Sequence, residues 1–112
     1  MHDSKLEDVK ESIGYSTSVY RRINQWFLDR GLDKADPRAQ MLKMFEELGE
    51  LAADLAKQRC PKDSLGDVGV VLIGLCTQLG TSLEEVLEVA YNEIKDRKGK
   101  LVNGVFIKES DL

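Results

Sequence analysis

Residues 68–79 carry no charge, and that run limits what this chain can become. Wound as a helix at about 100° per residue, its apolar side chains go nearly all the way round. Only the side headed by Asp63 and Asp67 is polar. A helix of that kind has to be surrounded by other structure. The β-branched residues Val68, Val70, Val71 and Ile73 would also suit a buried strand. The stretch is long for a strand, however, and Gly80 followed by Ser82 supplies a stop and a restart. Three partner helices of the size available here do not cover such a helix. The expectation is therefore an obligate homo-oligomer, a homodimer or homotetramer, with this helix near the interface. Gly66, Gly69 and Gly74 permit close helix approach, each at a helix cost of about 1 kcal/mol relative to alanine.

Three further helices frame it, which makes the expected fold an all-α four-helix bundle. The first runs from residue 16 or 18 to residue 30, where Val19, Tyr20, Ile23, Trp26 and Phe27 form one stripe and Gly31 stops it. The second opens on Asp36 as cap and Pro37 at the first helical position. Its buried face is expected to be Met41, Phe45, Leu48, Leu51, Ala52 and Leu55, with an end near Arg59–Cys60 ahead of Pro61. The fourth begins at Ser82, with Glu85 at capping-box spacing. It uses Leu83, Val86, Leu87, Ala90, Tyr91 and Ile94, and Gly99 is expected to end it. Beyond it, Asn103-Gly104 between apolar pairs signals a short extended tail or hairpin. Residues 1–14 are polar and weakly periodic, and are expected to be a flexible arm or a short extra helix. Residues 15–112 then form a single helical domain.

Bulk properties exclude several classes of function. A chain of 112 residues has room for one core. A net charge of −4 argues against binding a nucleic-acid polymer, which needs a basic face. His2 is the only histidine and sits at the terminus, so His-based catalysis and His-ligated zinc are out of reach. Cys60 and Cys76 show neither metal-ligand nor disulfide spacing. No apolar stretch is long enough to span a bilayer, and the expected location is the cytoplasm.

The acids carry the chemistry. Glu47 and Glu50 are three apart and project from one face of the second helix, while Asp63 and Asp67 are four apart on one face of the third. A helical hairpin can bring the two faces together. Three or four carboxylates with water suit Mg²⁺, with Mn²⁺ as a substitute ion, and a metal so held serves phosphate chemistry. Glu46 points about 100° away from Glu47, toward a second metal or a water. A plain solvated face is the competing reading, since Lys43 and Lys57 offer ion pairs to Glu47, Glu50 and Asp54. Asp67 resists that reading, because core residues flank it. Gln40 and Lys43 precede the acids by one to two turns and are candidate phosphate or sugar contacts. Lys95, Arg97, Lys98 and Lys100 suit either a helix C-terminus or a phosphate clamp, with Asn92 as an amide for base or sugar.

Glu46-Glu47-Leu48-Gly49-Glu50-Leu51 followed by Gly66-Asp67-Val68 resembles the MazG-like nucleotide pyrophosphohydrolases. The stretch from Ala90 through Asn92, Lys95 and Arg97 to Gly99 is similar to that family's last helix. The tail from Asn103 to Glu109 is similar to the ending of small stand-alone, phage-type members. The resemblance covers residues 23–112. It implies Mg²⁺-dependent hydrolysis of nucleoside triphosphates to monophosphate and pyrophosphate, on an all-α bundle that is a dimer or tetramer. Glu47, Glu50 and Asp67 match its metal ligands, and Glu46 matches the first acid of the motif, a candidate for a second metal or for the water-activating base, with Glu46 and Glu47 the catalytic pair. Asn92, Lys95 and Arg97 match the helix that approaches the nucleotide. The chain departs from the pattern at Ser64, where the family has glutamate, and Asp63 is expected to substitute.

A nucleoside triphosphate pyrophosphohydrolase serving the nucleotide pool is accordingly the expected function. The alternatives are a non-catalytic nucleotide-binding regulatory module, a structural oligomerisation bundle, and the phosphoribosyl-ATP pyrophosphatase branch of the same fold.

Overall fold

A computed structural model describes residues 19–112; the expected N-terminal arm and the start of the first helix lie outside the described residues. The structure is mostly helical, with one small two-stranded antiparallel sheet. It divides into two compact units, one ending at Ser82 and the other spanning Leu83–Leu112.

In the first unit, α1 is helical over residues 19–29 and gives way to Gly31 in the left-handed region, φ 68°. A 3₁₀ turn, Leu32–Lys34, leads to α2, Pro37–Ala56. The Asp36 side chain accepts from the Arg38 amide at 2.9 Å, as its cap position requires. The Arg38 guanidinium turns back onto the same carboxylate and, with that amide, holds Asp36 below the usual carboxylate range. α2 stops at Ala56, short of the expected Arg59–Cys60. Gln58 adopts φ 55°, so the chain leaves the helix before Pro61 can act. The amides of Gln58 and Arg59 then donate to the Leu55 and Asp54 carbonyls, at 3.3 and 2.9 Å, closing the helix end. α3 spans Lys62–Gln78. It closes the same way: Gly80, φ 75°, donates to Thr77 and Thr81 donates to Cys76.

α2 and α3 pack antiparallel. Gln40 Nε2 donates to the Val71 carbonyl at one end, and Ser64 Oγ to Asp54 at the other. Phe27, Met44, Val71 and Cys76 form the buried apolar core, each side chain contributing about 1.5–3 kcal/mol when fully removed from water. Gly74 is required at the crossing, because a Cβ there would collide with the Phe27 ring. Gly66 and Gly69, expected to allow similar approach, have open space where a Cβ would go. Thr77 Oγ1 donates to Asn24, and Gln78 Nε2 donates to the Leu32 carbonyl, fastening α1 and the 3₁₀ turn to α3.

The expected buried face of α2 is corrected by the structure. Gln40, Met44, Glu47, Leu51 and Asp54 make the line that meets α3, with Met44 and Glu47 buried. Met41, Phe45, Leu48, Ala52 and Leu55 lie one residue round the helix and are exposed, Phe45 by 62% and Leu55 by 60%. Both stripes have alternating spacings of four and three, so periodicity cannot choose between them. The two polar hydrogen bonds to α3 choose the first. Trp26 is likewise not core: it is 45% exposed, with the Arg30 guanidinium over its ring at 4.0 Å.

In the second unit, α4 is Leu83–Ile94 and is followed by strands β1, Gly99–Val102, and β2, Val105–Lys108. Asn103 and Gly104 take φ 51° and 79° at the hairpin tip, as a type I′ turn demands, and the register pairs Val102 with Val105 and Gly99 with Lys108. α4 ends at Ile94 instead of reaching Gly99. Gly99 is already committed to the sheet, and the Glu109 amide holds the Lys98 carbonyl at 2.7 Å. Lys95 and Arg97 therefore sit on the turn after α4, outside the helix. No single helix among the described residues is long and apolar enough to cross a membrane.

Candidate functional site

Three carboxylates converge where α2 faces α3. One oxygen from each of Glu47, Glu50 and Asp67 lies within 4.8 Å of the others. The i, i+3 spacing sets the two glutamates on one side of α2, and the antiparallel packing brings Asp67 of α3 opposite them. Glu47 is 6% exposed, a rare position for an acid, and its Oε2 is buried without a hydrogen-bond partner. Its Oε1 meets the Lys43 ammonium at 3.4 Å. The same ammonium reaches Glu46 Oε2, also at 3.4 Å, and these two acids hold Lys43 above its ordinary value. Glu50 is pushed up, first by the charge of Glu47, then by a hydrogen bond with it, by burial and by Asp67, with Lys43 opposing. Like charges this close favour a shared proton or a cation between them. Hard oxygen donors of this number suit a divalent ion that keeps part of its water shell. The residues present thus fit Mg²⁺ or Mn²⁺.

The other expected site residues fall elsewhere. Glu46 is exposed and outside the trio. Asp63 is exposed and also outside it. It lines, with Asp67, Ile23, Cys60, Gly66 and Val70, an open hollow of about 640 Å³ beside the trio. Gln40, expected on phosphate or sugar, is spent on the Val71 carbonyl. In the second unit, Asn92 and Arg97 line a hollow of about 680 Å³ that Lys95 does not line. Its cations Arg97, Lys98 and Lys108 lie among the acids Glu93, Asp96 and Glu109.

Sequence reasoning missed one acid. Asp54, four residues after Glu50, accepts from Ser64 Oγ at 2.8 Å and from Arg59 Nε at 3.0 Å. The spacing of Glu47, Glu50 and Asp54 along one helix face was the available signal.

Comparison with known proteins yields one partial likeness. Over 73 residues the chain is 38% identical to a Haemophilus phage HP1 (strain HP1c1) protein described as the "Uncharacterized 18.2 kDa protein in rep-hol intergenic region". That segment is 62% of this chain and 44% of the phage protein, so the chain spans less than half of its relative. No family model matches the chain, and no solved structure matches it. The functional reading therefore rests on the acids themselves.

Proposed function

We propose that this protein is a Mg²⁺-dependent nucleoside triphosphate pyrophosphohydrolase of MazG-like type, working as a homodimer or homotetramer in the cytoplasm on the nucleotide pool. The convergence of Glu47, Glu50 and Asp67 around a buried, unpartnered carboxylate oxygen carries the reading. Bound there, a divalent ion supplies charge neutralisation for the triphosphate and lowers the pKa of a coordinated water. Glu47, Glu50 and Asp67 would hold that ion. Glu46, exposed beside Glu47, accepts the proton of the attacking water. The water oxygen bonds to the α-phosphorus, the bridging bond to the β-phosphate breaks, and pyrophosphate leaves with its electron pair. The open apolar stripe from Met41 to Leu55 supports the oligomer, since a lone soluble chain seldom leaves so ordered a helical seam exposed.

Ser64 favours a second reading. With its hydroxyl committed to Asp54, the trio is one acid short of the pattern it resembles, as in a nucleotide-binding module without turnover.

The test is a panel of NTPs and dNTPs with Mg²⁺ and then Mn²⁺, read by pyrophosphate release. Turnover that Asp67→Asn abolishes, with circular dichroism unchanged, is the expected result. Metal-dependent thermal stabilisation by nucleotide without product selects the binding module. Neither effect leaves a structural bundle.

A further inference from the structure

We propose that Lys43 is an exchangeable counter-ion of the carboxylate trio: it occupies Glu47 when no divalent cation is bound, and on cation binding it is released to hold the phosphate anion that the cation recruits. This rests on the metal site proposed above and adds a role for a residue outside the ligand set. Three observations carry it. The Lys43 Nζ stands 3.4 Å from both Glu46 Oε2 and Glu47 Oε1, too long for strong charge-assisted bonds. Its side chain is 55% exposed, so it can swing away without opening the core. Glu47, in contrast, is held in place by burial, and its second oxygen has no protein partner to satisfy it.

A single ammonium cannot satisfy both oxygens of Glu47 while shared with Glu46, and it leaves the Glu50 and Asp67 charges facing one another. A divalent ion answers all three carboxylates at once, and two cations held by one carboxylate a few ångströms apart repel each other. The ammonium, released from Glu47, is then on the exposed side of α2, free to pair with an anion. One side chain thus opposes the metal and favours the anion.

The experiment is calorimetric titration of wild type and Lys43→Gln with Mn²⁺ alone, then with inorganic triphosphate at saturating Mn²⁺. Lys57→Gln removes an equal charge from the end of the same helix as a control. The expected result is Mn²⁺ binding about fivefold or more tighter in Lys43→Gln, the effect of a unit charge a few ångströms away. Triphosphate binding weakens by a similar factor, and Lys57→Gln changes neither by more than about twofold. Lys43→Gln binding Mn²⁺ no tighter, both ligands moving in the same direction, or Lys57→Gln matching its effects would each overturn the exchange. Wild type that takes up no Mn²⁺ overturns the metal site itself, and the exchange with it. Wild type that binds Mn²⁺ while Lys43→Gln binds no tighter overturns the exchange alone.

Discussion

Ser64 Oγ lies 2.8 Å from Asp54 Oδ2, joining the first turn of α3 to the last turns of α2. The hydroxyl is shared with the Pro61 carbonyl at 3.1 Å, and Ser64 itself is 3% exposed. One turn further into the hairpin, Glu50 meets Asp67. The Ser64–Asp54 bond therefore sets the register in which the carboxylates converge. Ser64→Ala should destabilise the protein by about 1–3 kcal/mol, since it strands a half-buried acceptor. Urea unfolding followed by circular dichroism measures this. An unchanged midpoint would show that Arg59 alone holds Asp54.

Gly74 is the second structural constraint that a point substitution can probe. Gly74→Ala places a methyl group against the Phe27 ring and the Gln40 amide, so α1 must shift or Phe27 must leave its rotamer. A loss of about 1–3 kcal/mol is expected. Gly69→Ala, with open space at its Cβ, should be neutral or slightly stabilising through helix propensity. Thermal melts of the pair separate packing from propensity. Equal effects would contradict the tight crossing at Gly74.

Glu50 gives a pH signature. Its carboxyl is raised by Glu47 and Asp67, so its contribution to folding stability is fully present below the unfolded-chain value and is lost as pH rises through the folded one. In EDTA at neutral pH, Glu50→Gln should therefore melt above wild type, and the gap should close as pH falls through the range of the raised carboxyl. Added Mn²⁺ should reverse the order, because the ion stabilises only wild type. A gap that widens toward acid would show that Glu50 is not repelled by its neighbours.

The exposed seam of α2 predicts assembly. Wild type should elute as a dimer or larger by light scattering, and Phe45→Asp with Leu48→Asp should shift it to monomer. The pair points away from the buried Glu47 line, so helicity should survive the change. A wild-type monomer at micromolar concentration would remove the oligomer from the proposal.

What the sequence determined by itself was mostly local. Asp36-Pro37 opens α2, Gly80 closes α3, and Asn103-Gly104 turns the hairpin, because each depends on a capping group or a positive φ within a few residues. The spacing of Glu47 and Glu50 and the isolation of Asp67 were legible for the same reason. Only the tertiary structure decided which of two equally periodic stripes on α2 turns inward. It made Gln40 a tether and Glu47 a buried acid, left Phe45 in the open, and gave Ser64 to Asp54. It also kept Asp63 and Glu46 out of the trio, and it ended α4 at Ile94 because Gly99 pairs with Lys108. Those outcomes turn on contacts between segments distant along the chain, and a pattern that repeats along one helix holds no record of what packs against it.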